Sequence, residues 1–487
     1  MHFIVKLFPE ITIKSAPVRK RFTRQLQDNL HHLLRRLSRE LSVRRDWEKL
    51  EISGPDDEEL EARVSTVLAQ TPGIAFFYAV DAFDFATQDD IYRATASVWG
   101  DQLAGKTFCV RVKRSGNHDF ASIDVERYVG GGLNQNCVTG GVKLKEPDVT
   151  VKLEIKDDRL FVVRQEVPGL GGFPLGTQDP VLSLISGGFD STVASYLTIK
   201  RGLRTHYCFF NMGGRAHELG CKEVAYYLWQ KYGASHLVRF ITVPFESVVA
   251  EILTKVPPAN MGVILKRMML RAASQIAERM KIQALVTGEA VAQVSSQTLT
   301  NLAVIDEVTN TLVLRPLITT DKGDIIKLAR AIGTEEYAAS MPEYCGVISK
   351  KPTTRAKLER VLADEALLDF AVLDSAVTEA KVESIIDLLT PAEEVPVDEF
   401  AYVPTAAVVI DIRHPNEQEV KPLLIPGVQV LTIPFYQLAR SLEELAPKQQ
   451  YLLYCDQGVM SRLHAGELAA EGHINFGVYR PAADAGQ

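Results

Sequence analysis

Three observations predict a multi-domain protein of mixed α/β and α+β class. First, a chain of 487 residues is longer than one hydrophobic core ordinarily organises, about 100 to 200 residues, so several domains are expected. Second, from Val181 to Ile332 short apolar runs alternate with helical periodicity, the rhythm of an open, largely parallel, doubly wound sheet. Third, before residue 166 strands of alternating polarity mix with amphipathic helices without that rhythm, which reads as α+β. A composition of 46% hydrophobic and 24% charged residues excludes disordered and collagen-like chains.

Taken in order, a strand is predicted over Phe3 to Phe8. A helix follows from Ala16 to about Ser42, with Phe22, Leu26, Leu30, Leu33, Leu34 and Leu37 on one stripe and arginines opposite. A helix over Leu60 to Leu68 and strands at Ile74 to Val80, Phe108 to Lys113, Thr150 to Ile155 and Arg159 to Arg164 come next, with a helix running from Ser122 through the glycines at 130 to 132. Glycines and prolines crowd residues 168 to 174 and punctuate a linker. Neither this run nor Gly130-Gly131-Gly132 completes a dinucleotide or Walker loop. Beyond the linker, strands at Val181 to Ile185, Thr205 to Phe210, Leu237 to Val243, Ala284 to Thr287 and Leu312 to Ile318 alternate with helices up to Lys322 to Ile332. An acidic, proline-marked spacer before Val403 separates a last small α/β unit, with strands at Ala406 to Ile412 and Tyr451 to Tyr454 and a helix starting near Ser461.

Charge is distributed unevenly. The formal net charge is -7, yet residues 11–50 hold eleven Lys/Arg against four acidic residues, while 361–400 hold one lysine against eleven acidic residues. The first block suits a polyanion and the second does not. No window approaches the roughly 18 uncharged apolar residues of a membrane span, and the opening MHFIVKLFPEITIK lacks a secretory signal, so a cytoplasmic protein with no membrane partner is expected. Six scattered cysteines with no Cys-x-x-Cys pair predict neither a disulfide scaffold nor a zinc ribbon or iron–sulfur ligand set.

Two motifs carry chemistry. Ser186-Gly187-Gly188-Phe189-Asp190-Ser191 joins a buried strand to a helix. Its glycines let backbone N–H groups converge on a phosphate, Ser186 and Ser191 add hydroxyls, and the following helix N-terminus favours negative charge. No Gly-Lys-Ser/Thr follows, which points to pyrophosphate binding rather than γ-phosphate transfer. Asp190 would repel phosphate and is expected to hold magnesium. The second motif, Cys455 to Arg462, leaves the strand Tyr451 to Tyr454 and enters a helix, so the thiol faces backbone N–H groups and a positive helix end that favour a thiolate or persulfide. Cys345, in Ser340-Met-Pro-Glu-Tyr-Cys345, lies in a turn-rich stretch near lysines and on its residues alone is either reactive or incidental.

The Ser186 to Ser191 loop resembles that of the ATP-pyrophosphatase superfamily, and the Cys455 loop with Val-Ile-Asp411-Ile-Arg413 looks like a rhodanese domain. Together with Lys6 to Lys14, Arg111 to Arg114, Asp124 to Leu133, Gly262 to Met269, Thr287-Gly-Glu-Ala, Ser295 to Asn301 and Met341 to Cys345, they resemble the tRNA uridine 4-sulfurtransferases of the long form, shared by 4-thiouridine and thiamine-thiazole synthesis. The resemblance implies a ferredoxin-like domain at 1–60, a THUMP RNA-binding domain at 61–165, a linker at 166–178, a pyrophosphatase domain at 179–390, a linker at 391–403 and a rhodanese domain at 404–482.

It further implies ATP contacts at Leu184, Ile185, Ser186, Gly187, Gly188, Asp190, Ser191, Lys266, Gly288 and Gln297. Gly288 ends a strand, where a missing side chain lets a nucleotide approach, and Lys266 brings charge to phosphate. Asp190 and Lys322 would serve activation. RNA contact is expected from Arg19, Lys20, Arg21, Arg24, Arg111, Lys113 and Arg114. ATP with magnesium would adenylate O4 of a tRNA uridine, expected at position 8. A cysteine desulfurase would load a persulfide on Cys455, and a Cys345–Cys455 disulfide would release the product. A sulfur-carrier protein of thiazole synthesis would be a further partner. Gln457 stands where the family carries arginine. Rival readings are a persulfide carrier for thiazole synthesis alone, an amide-forming ATP pyrophosphatase, and a non-catalytic RNA-binding protein.

Overall fold

The structure is a computed structural model that describes residues 1–45, 49–212, 215–341, 351–388, 397–413, 418–419, 421–435, 438, 441–455, 459–470 and 472–481. The chain divides into two compact units. One comprises 1–179, 199–204 and 231–236, and the other 180–198, 205–230 and 237–487.

In the first unit the elements are β1 (His2–Leu7), α1 (Pro9–Thr12), α2 (Ala16–Leu34), β2 (Ser42–Arg45), β3 (Lys49–Ser53), α3 (Glu58–Gln70), β4 (Ile74–Asp84), α4 (Gln88–Trp99), β5 (Phe108–Ser115), α5 (Ser122–Asn136), β6 (Val149–Lys156) and β7 (Arg159–Pro168). They build one seven-stranded sheet of order β2-β3-β1-β4-β7-β6-β5, so a single sheet runs through both expected N-terminal domains. Strand alternation sends Phe3, Val5, Phe77 and Ala79 into one core under α2 and α3, and Val151, Leu153, Leu160 and Val162 into a second under α4 and α5. Helix α2 ends at Leu34, short of the expected Ser42, because the chain turns there to send Ser42–Arg45 along β3. The glycine-rich linker is no loose tether. Phe173 and Leu175 are buried, Phe173 meets Phe22 edge-on at 5.5 Å, and at Gly172 (φ +72°) any Cβ would sit 1.9 Å from the Lys200 carbonyl oxygen.

The second unit begins with β8 (Gln178–Leu184), α6 (Phe189–Lys200), β9 (Leu203–Asn211), α7 (Arg215–Leu228), β10 (Arg239–Pro244), α8 (Glu246–Lys255), α9 (Met261–Arg279), β11 (Ala284–Val286), α10 (Leu299–Asp306), β12 (Leu312–Leu314), α11 (Lys322–Ile332), α12 (Glu335–Ser340), α13 (Leu358–Glu365), α14 (Ala371–Thr378) and β13 (Lys381–Ser384). The sheet order is β12-β11-β8-β9-β10-β13. Pairings β9/β10, β8/β11 and β11/β12 are parallel, as a doubly wound sheet requires, and β13 closes one edge antiparallel to β10. The acidic block expected to be a spacer is therefore largely built into this layer. Val361, Leu373, Ala376 and Val377 join its core, and buried Arg267 of α9 holds Glu365 of α13 with Nε–Oε1 of 2.6 Å and Nη2–Oε2 of 2.9 Å. Acidic composition concealed this because its apolar positions are spaced at helical intervals.

The chain ends in a five-stranded sheet of β14 (Glu399–Phe400), β15 (Val408–Asp411), β16 (Val430–Thr432), β17 (Tyr451–Tyr454) and β18 (Phe476–Tyr479), with α15 (Val459–Ala470) after β17. The order is β14-β18-β17-β15-β16, every pair parallel. Multi-domain α/β and α+β architecture is what the molecule has, and no helix among the described residues is long and apolar enough to cross a membrane.

Candidate active site

Buried strand β8 delivers Leu184 and Ile185 to the loop that starts α6. Gly187 takes φ +78°, open to glycine at little cost, and turns the chain so that α6 starts at Phe189. The two serines lock the loop internally rather than standing free for a ligand. The Ser186 N–H donates to Ser191 Oγ at 3.1 Å, the two hydroxyl oxygens are 3.1 Å apart, and Ser191 Oγ donates to the Gly188 carbonyl at 3.3 Å. What remains for a phosphate is the loop backbone and the N-terminal end of α6.

Asp190 sits in the first turn of α6. Its carboxylate accepts from Lys322 Nζ at 2.9 and 3.0 Å and from Gln293 Nε2 at 2.8 Å, so the two residues expected to act in activation do meet. Lys322 opens α11, and its ammonium also lies 5.4 Å from the Phe189 ring centre. Gly288 has a different reason from the one its sequence suggested. A Cβ there would lie 2.5 Å from Asp190 C and from Ser191 N, so the missing side chain admits the start of α6.

One residue on, Glu289 is 8% exposed. It accepts from Lys266 Nζ of α9 at 2.6 Å, from Arg315 Nε at 2.8 Å and from Thr287 Oγ1 at 3.1 Å. Burial raises its carboxyl pKa, but Lys266 and Arg315 outweigh that and leave it below the usual carboxylate value. Arg315 also grips Asp306 at 2.8 and 2.5 Å. Lys266 is thus a paired lysine held on the strand end beside the loop. Gln297 is buried, and its Oε1 finds no hydrogen-bond partner among the described residues, an unusual state for a buried amide and one that a bound ligand would relieve.

Helix α7 closes the loop from the other side. His217 Nε2 donates to the Ser186 carbonyl at 2.9 Å. Met341 fills a notch left by two glycines: a Cβ on Gly187 would meet its Sδ at 2.8 Å and the Cys221 Sγ at 3.1 Å, and a Cβ on Gly220 would meet its Cε at 2.2 Å. Cys345 lies outside the described residues, but the chain leads toward it from this notch. The chain re-enters at 351–356, where the Thr353 carbonyl accepts from Asn301 Nδ2 at 2.8 Å and the Ala356 N–H donates to Asn301 Oδ1 at 2.9 Å. Cys208 and Cys221 are fully buried, and burial pushes both thiols up, which removes them as thiolates.

In the C-terminal sheet Cys455 directly follows β17. Its Sγ accepts from the Ser461 N–H at 3.3 Å and lies 3.4 Å from Ser461 Oγ, the helix-end cradle that the sequence predicts. The neighbouring strand is pinned by the buried pair Arg413–Asp411, with Nη2–Oδ2 of 2.6 Å and Nε–Oδ1 of 2.9 Å. Gln457 lies outside the described residues, and so does the Cys345 end of the expected disulfide.

Of the expected RNA contacts, Lys20, Arg21 and Arg24 are exposed on α2, and Arg19 is half-buried with Nη1 3.4 Å from the Thr12 carbonyl oxygen. Farther along α2, a cavity of about 440 Å³ is lined by Asp28, His31, His32, Arg35 and Arg36. Strand alternation splits the β5 group: Arg111 and Lys113 are exposed on one face, whereas Arg114 turns to the other, its Nη1 2.9 Å from His118 Nδ1. His217, Glu289, Gln293, Arg315 and Met341 were not singled out by sequence. Only Glu289 and Met341 had a signal, lying inside Thr287-Gly-Glu-Ala and Met341 to Cys345.

Profiles of the ThiI ferredoxin-like domain, the THUMP domain and the thiamine biosynthesis protein ThiI match residues 2–77, 85–163 and 176–370. A tRNA sulfurtransferase of Saccharophagus degradans is 57% identical and one of Aeromonas salmonicida 56%, each over 99% of this chain and 100% of the relative. Among solved structures, a 4-thiouridine synthetase in complex with RNA and ATP superposes with a TM-score of 0.69 at 24% identity, covering 79% of this chain and 99% of that one.

Proposed function

The chain belongs to the tRNA sulfurtransferase family, and from that premise we propose that it makes 4-thiouridine, expected at position 8 of tRNA, by ATP-dependent transfer of sulfur from a persulfide on Cys455. The observation that carries this reading is the pairing in one chain of a phosphate loop lacking a Walker lysine with a strand-end thiol cradled by a helix amide.

The chemistry runs as follows. O4 of the uridine attacks the α-phosphorus of ATP and pyrophosphate leaves, its charge met by the loop backbone and the end of α6. Lys266, steadied by Glu289, and Lys322, steadied by Asp190, add positive charge. The hard oxygen donors here, above all the Asp190 carboxylate, fit magnesium entering on the nucleotide phosphates, where it would neutralise charge on the leaving group. The terminal sulfur of the Cys455 persulfide attacks C4 and AMP leaves. The Cys345 thiolate then attacks Cys455 Sγ, which frees the 4-thiouridine sulfur and forms a Cys345–Cys455 disulfide for an external dithiol to reduce. A cytoplasmic cysteine desulfurase would reload Cys455. The same persulfide would supply a sulfur-carrier protein of thiazole synthesis.

The test incubates the protein with bulk tRNA, ATP, magnesium, cysteine and a desulfurase and follows the near-ultraviolet absorbance of thiouridine. The band is expected with the native chain and absent with Cys455→Ala, while that variant still adenylates the uridine and releases pyrophosphate. A folded native chain that produces no thiolated tRNA would overturn the reading.

A further inference from the structure

We propose that α7 and α12 form a docking seat for the C-terminal domain, entered by Phe435 and His464, and that this seat orients the Cys455 loop for sulfur delivery. The proposal rests on the reading of Cys455 as the sulfur carrier and adds where its domain must sit when it delivers.

The contact is built from five side chains. The Phe435 ring centre lies 5.0 Å from that of Tyr337 in α12 and 5.9 Å from that of His464 in α15. Tyr337 in turn lies 5.2 Å from Tyr227 of α7. His464 Nε2 is 2.7 Å from Glu223 Oε1 of α7, with the two side chains 12% and 5% exposed. Tyr227, Tyr337 and Phe435 are all buried. Aromatic pairs at such separations add attraction beyond the area they bury. A carboxylate as enclosed as Glu223 would be unfavourable without a polar or cationic partner, and His464 supplies one from across the domain boundary. The platform side is fixed, because Tyr227 Oη donates to the Ile332 carbonyl at 3.1 Å, the last residue of the helix that Lys322 begins.

The seat is placed where the chemistry needs it. On α7, Glu223 lies six residues beyond His217, about 9 Å at 1.5 Å per residue, and His217 holds the Ser186 carbonyl. Gly220 and Cys221, between them, adjoin Met341. Helix α12 runs directly into Met341, so Tyr337 stands eight positions before Cys345. On α15, His464 is three residues, about 4.5 Å, beyond Ser461, whose N–H holds Cys455 Sγ. Docking therefore couples the helix that presents Cys455 to the helix that braces the phosphate loop and to the one that leads toward the second cysteine. A contact this small suits a tethered domain: the linker keeps its local concentration high, so modest contacts set its orientation and still let it go for reloading.

The experiment compares Glu223→Gln, His464→Gln, their double variant and Phe435→Ala in the full chain. Single-turnover sulfur transfer from a preloaded persulfide is measured beside pyrophosphate release, persulfide loading by a desulfurase, and hydrogen exchange in α7 and α12. Each substitution is expected to slow transfer about tenfold, within the range of couplings between sites, and to raise exchange in α12. The double variant should be no slower than the slower single one, since both remove one contact. Pyrophosphate release and loading should stay at native rates. Native transfer rates and native exchange in all four variants would overturn the docking seat. If the native chain itself moves no sulfur while the variants still lose protection in α12, the seat stands and the sulfur-carrier reading falls.

Discussion

Gly288 sets the start of α6, and with it the proposed nucleotide site, by an absent side chain. Its Cα faces the peptide between Asp190 and Ser191 so closely that a methyl group would lie 2.5 Å from two backbone atoms, and backbone cannot swing aside as a flexible side chain can. Gly288→Ala is expected to lower stability by about 1–3 kcal/mol, the usual range for overpacking, and to raise the KM for ATP in AMP formation because the start of α6 is displaced. Thermal unfolding and an ATP titration check this, and an unchanged KM would show that the loop tolerates the shift. The carboxylates show a related pattern. Asp190 and Glu289 are both held by donors from distant positions, Lys322 and the Gln293 amide in one case, Lys266 and Arg315 in the other. The phosphate loop was legible in the sequence because its chemistry is local, two glycines and two serines between a strand and a helix. Glu289, Gln293 and Arg315 were not, because each acquires its role from a partner 23 to 103 positions away, and such pairings leave no spacing pattern.

Helix α7 is the element on which most of the site depends, although as a sequence it is only one amphipathic segment among many. Its first turns place His217 against the Ser186 carbonyl and Gly220 against Met341. Burial holds the His217 imidazole below its ordinary pKa near 6.5, with the Ser186 hydrogen bond partly opposing. A histidine whose folded-state pKa is depressed resists protonation in the native state, so its stabilising contribution is complete above about pH 6.5 and declines as pH falls below that. Chemical denaturation of the native chain and of His217→Gln should therefore diverge less at pH 5.5 than at pH 7.5, and a difference independent of pH would contradict the assignment. Long, strongly periodic elements were readable as elements; the helix Lys322–Ile332 has the predicted bounds, whereas α2 stops at Leu34 rather than about Ser42. The short edge strands β2, β13, β14 and β16 were not, since two to four residues carry too little alternation and their pairing is decided by the sheet that receives them.

Across the whole molecule, the net charge of -7 conceals a division of labour. Exposed Lys20, Arg21 and Arg24 on α2 suit the phosphate backbone of the proposed substrate, while much of the acidic block is packed into the layer of the β12-β11-β8-β9-β10-β13 sheet. Binding of tRNA should weaken as salt rises, and replacing those three side chains with alanine should flatten the plot of log K against log salt by about 2 to 3 units of slope, one per lost contact. An unchanged slope would move the RNA to another surface. The central claim, that sulfur passes from Cys455 to an ATP-activated uridine, is tested most directly by loading Cys455 with radiolabelled persulfide sulfur, removing the desulfurase, and adding tRNA with or without ATP and magnesium in one turnover. The label should move to tRNA as 4-thiouridine only with ATP, leaving a Cys345–Cys455 disulfide behind. Label that stays on the protein with ATP present, or moves without it, would contradict the account.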